Sequence, residues 1–108
     1  MPQVSLNGTP AQIEWAERII PSVHNEFDRV AHALTEAVTG KSDLVRADAD
    51  LVIAILEEKR AEVMAHVEAG YFIHHWQELN DQVRTMIGSD PRYQAIQAQK
   101  RLSRAKQG

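Results

Sequence analysis

Apolar residues in this chain return every three or four positions, and that period fixes the fold class. Val23, Phe27, Val30, Leu34 and Val38 recur at spacings of four, three, four and four, which sets them on one face of a helix. Gly40, Gly70 and Gly88 fall between such stretches, where glycine commonly ends helices. No period-two alternation, internal repeat or low-complexity segment interrupts the pattern. The expectation is an all-α protein, an antiparallel bundle of four to five helices with short connections. Its 108 residues make one domain, with residues 1–8 as a flexible lead and 99–108 as a basic, fraying tail.

The element boundaries follow from caps and breakers. Thr9 and Pro10 suit the cap and first position of a helix running to Ile20, with Ile13, Ala16 and Ile20 on one face and Trp15 at its margin. Pro21 then kinks or ends that helix, because it lacks a donor and crowds the preceding turn. Ser22 caps a restart that Gly40 stops. After Lys41–Asp43, with Ser42 as cap, a long helix runs from Leu44 to Gly70. Its centre, Leu51 to Leu56, is apolar on nearly every side, so it is expected between two helices or two subunits, and a homodimer follows from that. A fourth helix covers Tyr71 to Ile87 with a stripe of Phe72, Trp76, Leu79, Val83 and Met86. Gly88-Ser89-Asp90-Pro91 forms a turn, and a last helix spans Arg92 to Lys106.

Composition excludes several classes of function. Cysteine is absent, which removes disulfides, thiolate metal ligands and a cysteine nucleophile. The longest apolar run has six residues, against the roughly 20 that a membrane-spanning helix needs. The first residues lack the basic and apolar regions of a signal peptide. The expectation is a soluble, cytoplasmic protein without a small-molecule substrate.

Charge is unevenly distributed. Residues 1–90 hold all 15 acids against 7 bases, a balance of −8, while residues 91–108 hold five bases and no acid. Arg92, Lys100, Arg101, Arg104 and Lys106 are therefore candidates for contact with nucleic acid or with an acidic partner. Basic residues near a helix C-terminus also complement its dipole.

Other constellations are weaker. Glu58, Glu62 and His66 share one helix face at i, i+4 and i+8, a spacing open to metal binding and equally to ordinary i,i+4 pairing on a solvated face. The histidines, among them His24 and His32 two turns apart, have no neighbouring nucleophile or orienting carboxylate. No glycine-rich phosphate loop or Gly-x-Ser-x-Gly elbow is present. No catalytic residue, metal site or cofactor is assigned. Trp15, Tyr71, His74, His75 and Trp76 are candidate partner-binding residues, since aromatic anchors carry much of an interface's energy. Core packing is the competing role for the aromatics Trp15, Tyr71, Phe72 and Trp76.

The opening segment, Gly8-Thr9-Pro10-Ala11-Gln12-Ile13-Glu14-Trp15-Ala16-Glu17-Arg18-Ile19, resembles a motif of small helical accessory proteins from phages, plasmids and mobile elements. In those proteins a Gly-Ser or Gly-Thr start precedes Gln-Ile and Trp-Ala-Glu, and a later aromatic helix follows. Tyr71-Phe72-Ile73-His74-His75-Trp76 looks like that second block. The chain departs from the pattern at Ile20-Pro21. The resemblance implies a non-enzymatic protein that docks on another macromolecule, such as a host defence or nucleic-acid-processing complex, and inhibits it. The alternatives are a nucleic-acid-binding accessory factor acting through the basic C-terminal helix, and a helical metal-binding enzyme using Glu58, Glu62 and His66.

Overall fold

A computed structural model describes residues 6–107, with side chains through residue 102. Five helices follow in order: α1 (Pro10–Ala37), α2 (Asp43–Met64), α3 (Ala69–Trp76), α4 (Gln82–Gly88) and α5 (Pro91–Gln107). The protein is an all-α bundle. Among the described residues there is no strand, only an isolated bridge between Asn7 and Glu68. No helix among them is long and apolar enough to cross a membrane.

The start of α1 is built as its sequence dictates. The Thr9 hydroxyl accepts from the Gln12 amide at 3.2 Å, and the Gln12 side chain accepts from the Thr9 amide at 2.9 Å. This reciprocal box satisfies two donors that the helix end leaves open. The helix then runs unbroken through Pro21, so the two helices expected from that proline are one. Pro21 is exposed, which leaves the carbonyl it orphans to water. The buried residues Ala16, Ile19, Val23, Phe27 and Val30 stay in phase across it, and packing along one continuous face offsets the cost of the proline. Gly40 adopts φ +77° and closes the helix end as expected.

Two boundaries further along differ from expectation. α2, capped by Ser42, ends at Met64 rather than at Gly70, and Gly70 is the second residue of α3. The intervening segment pairs with the chain just before α1. Asn7 donates to the Val67 carbonyl at 2.6 Å and accepts from the Ala69 amide at 2.9 Å. α1 and α3 therefore start side by side, and α1 packs more extensively on α3 than on any other element.

The expected helix from Tyr71 to Ile87 is also broken, into α3 and α4. Asp81 takes a left-handed conformation at φ +61°, which Asp tolerates better than most residues. Gln82 holds the break closed: its side chain donates to the carbonyls of His75 (2.9 Å) and Glu78 (2.7 Å) and accepts from the Asn80 amide (2.7 Å). Leu79, expected on the core stripe, is 47% exposed instead.

Phe27, Phe72, Leu56, Val23, Val63 and Val83 form the fully buried centre. Arg60 joins α2 to α1, reaching Asp28 at 2.8 Å while its guanidinium lies 5.4 Å from the Phe27 ring centre. The apolar patch at the middle of α2 divides. Val52, Ile55 and Leu56 are buried within the chain itself, whereas Leu51 is 56% exposed. A second subunit is thus not needed to cover that half of it, while Leu51 and Ala54 stay exposed. The radius of gyration is 17.1 Å and the longest dimension 59 Å, against roughly 13 Å for a compact domain of this size. Long α1 and the sparsely packed α5, which among the described residues meets only α2 and α4, account for that extension.

Candidate functional site

α3 is a short helix with two different faces. Ala69, Phe72 and Trp76 point into the core, which leaves His74 and His75 exposed and Tyr71 half-buried. His66, from the turn before α3, stacks on Tyr71 with ring centres 3.5 Å apart and planes within 8°. His75 sits 5.0 Å from the same ring, and Phe72 meets its edge at 5.1 Å. The Trp76 indole N–H donates to the Tyr71 hydroxyl at 3.2 Å. Tyr71 is thereby fixed on its face, at its edge and at its tip.

Beside this ring lies an open groove of about 340 Å³ between α3 and α4, lined by Tyr71, His75, Trp76, Gln82, Thr85 and Met86, together with Asn80. Its surface is mainly apolar with a polar rim, the character of a docking groove. Of the five candidate partner-binding residues, Tyr71 and His75 line it directly. Trp76 corrects its expected role. It is 3% exposed, packs 5.9 Å from Phe27 and forms the groove floor rather than a projecting anchor. His74 lines an adjoining polar recess with Glu78. Trp15 is 44% exposed on α1 and does not line the groove. His66 and Met86 join the patch from other elements; the sequence marked His66 only on the candidate metal face and Met86 only in a core stripe. Only the aromatic content of α3 pointed to the region.

The basic residues separate as well. Arg92 is consumed within the fold. Its guanidinium donates to Glu58 at 2.7 and 3.3 Å and to both oxygens of Asp90 at 3.0 Å. Asp90 is 6% exposed, caps α5 by accepting from the Arg92 amide at 2.8 Å, and takes Lys59 at 3.2 Å. Hydrogen bonds from Arg92 hold the Asp90 carboxyl far below its ordinary range, and lower Glu58 too; Asp90 first and Glu58 second raise Arg92 in return. This four-residue cluster staples α5 to α2. Arg92 is therefore not the free phosphate contact expected of it. Arg101 is exposed and Lys100 half-exposed on α5, while the side chains of Arg104 and Lys106 lie outside the described residues.

The candidate metal face does not assemble. Glu58 turns to Arg92, Glu62 lies 3.9 Å from Lys59, and His66 stacks on Tyr71. Among the described residues no group of three His, Cys, Asp or Glu side chains is arranged to hold a metal ion.

Fold and surface together define a five-helix, all-α bundle with an aromatic–histidine groove on one side. Compared with family models, with curated proteins and with solved structures, the chain finds no match.

Proposed function

We propose that this is a non-enzymatic interaction protein that docks another protein into the groove between α3 and α4. The observation that carries the reading is the fixed Tyr71 ring at the groove rim, held by His66 and by the Trp76 N–H. A ring already immobilised loses little freedom on binding, and tyrosine offers an apolar body with a polar tip. Trp76 and Met86 supply an apolar floor beneath it. The likeness of the opening segment to small proteins of phages and mobile elements supports a partner belonging to a host defence or nucleic-acid-processing complex, with inhibition as the consequence of docking. Cytoplasmic action fits such a partner.

Affinity capture from the native host, with and without nuclease, tests this reading. A discrete protein should be captured, survive nuclease treatment, and be lost with Tyr71→Ala or Met86→Glu. Capture unaffected by both substitutions, or abolished by nuclease, overturns it.

A nucleic-acid-binding role for α5 is the second reading, favoured by the sparse packing of that helix on the acidic body. A gel shift that vanishes at high salt and on deletion of residues 99–108 would support it. No shift at low salt rejects it.

A further inference from the structure

α2 carries a second helical seam on the side away from the core. Leu44, Ala47, Leu51 and Ala54 recur at spacings of three, four and three, and all four are exposed. Leu44 is 77% and Leu51 56% exposed. This is the a/d spacing of a coiled coil. The positions that flank such a seam hold Asp43, Asp50 and Glu57 on one side and Asp48 and Glu62 on the other. Arg46 pairs with Asp43, and Lys59 approaches Glu62 at 3.9 Å, but no cation stands beside Asp48 or Asp50 among the ion pairs of the described residues. Two copies of this seam laid together would oppose acid to acid, which disfavours a symmetric α2–α2 contact.

α5 offers the complementary surface. Its body-facing residues are Tyr93 and Ile96. On the far side Ala95, Ala98 and Leu102 recur at three and four, and Leu102 is 63% exposed with exposed Arg101 beside it. The sequence from Pro91 onward has no acid at all. The α2 seam alternates leucine with alanine and the α5 seam runs alanine, alanine, leucine, so large residues on one can meet small ones on the other. α5 is rooted at Glu58, the seam position after Ala54, through Arg92. Its own Leu102 nevertheless remains exposed, and so do Leu44 and Leu51.

We propose that the covering partner is a second copy of this chain, with the Ala95–Leu102 seam of α5 from each protomer lying along the α2 seam of the other. The two contacts are equivalent and close as a two-fold dimer. Acidic flanks on α2 and basic residues on α5 set the pairing. The surface is separate from the α3–α4 groove, so the dimer leaves that groove free.

Sedimentation equilibrium of the full chain tests this, with circular dichroism confirming unchanged helicity of each variant. Wild type should dimerise reversibly, with the dissociation constant weakening about tenfold or more between low and high salt. Leu51→Glu and Arg101→Glu, which reverses the cation flanking the α5 seam, should each be monomeric. Asp48→Lys/Asp50→Lys should be monomeric alone, yet should form a heterodimer when mixed with Arg101→Glu, because both exchanged contacts regain opposite charge. A wild-type monomer at high micromolar concentration and low salt overturns the proposal. So does a dimer that survives Leu51→Glu, a failure of the two charge-reversed variants to combine, or a wild type that remains monomeric while its α5 shifts a DNA duplex.

Discussion

The Trp76 indole N–H donates to the Tyr71 hydroxyl at 3.2 Å, five residues earlier on the chain. One partner is buried in the core and the other lies at the groove rim. The bond therefore transmits the rigidity of the core to a surface ring. It also gives Trp76 the hydrogen-bond partner that a buried indole requires.

Removing only that oxygen separates the two roles of Tyr71. Tyr71→Phe should cost about 1 kcal/mol in urea denaturation, because the indole N–H loses its acceptor. The His66 stack and partner capture should persist. Tyr71→Ala should lower partner affinity at least about tenfold, as loss of an aromatic anchor does.

Stability should fall on acidification, and Asp90 should be a principal cause. Its carboxyl is held far below its ordinary value of 3.8 by Arg92, so the unfolded chain binds a proton that the folded chain refuses. The stabilisation is complete above that ordinary value and is lost as pH falls through the lowered folded one. Glu58 and Glu26, lowered by Arg92 and Arg29, act in the same direction from 4.5 downward. Asp90→Asn should lower the melting midpoint by several degrees at neutral pH and flatten its acid limb. Melting curves from pH 2 to 7 check both.

Pro21 should be a removable burden. It sits exposed inside an unbroken helix, where proline costs about 3 kcal/mol relative to alanine in an isolated helix. Pro21→Ala should raise the unfolding free energy by about 1–3 kcal/mol, read from the urea midpoint at constant slope.

Gly8 should resist substitution. Its φ is +152°, and a side chain there would meet the Gln12 amide oxygen at 3.1 Å and the Ala69 methyl at 3.2 Å. Gly8→Ala should cost about 1–3 kcal/mol, disturbing the capping box and the α1–α3 contact together.

The helices were legible wherever caps and periodicity agreed: Thr9 with Pro10, Ser42, Gly40 and Asp90 all stand where they were expected. The failures have different causes. Phe72, Trp76, Leu79, Val83 and Met86 keep a continuous helical phase across a break, so periodicity could not reveal it. The signal lay in Asn80-Asp81-Gln82, which supply turn-forming residues and an amide that closes the break. Gly70 and Pro21 misled in the opposite sense, because tertiary contacts outweighed local preference at both. At the groove, the aromatic composition of α3 was visible but its inward and outward faces were not. Those depend on α1 lying beside it, brought there by a bridge across sixty-one positions. The loss of Arg92 to Glu58 had the same origin, a partner thirty-four residues away.

That bridge at Asn7 bears on how the chain is made as well as on how it stands. α1, the longest helix among the described residues, is synthesised before the helix that covers it most fully, which ends only at Trp76. At ordinary elongation rates the apolar stripe of α1 waits on the order of a few seconds for that cover. α2 can shield part of it in the meantime as a hairpin. Until Glu68 and Ala69 emerge to meet Asn7, the growing chain holds an open seam that only its own later residues can close.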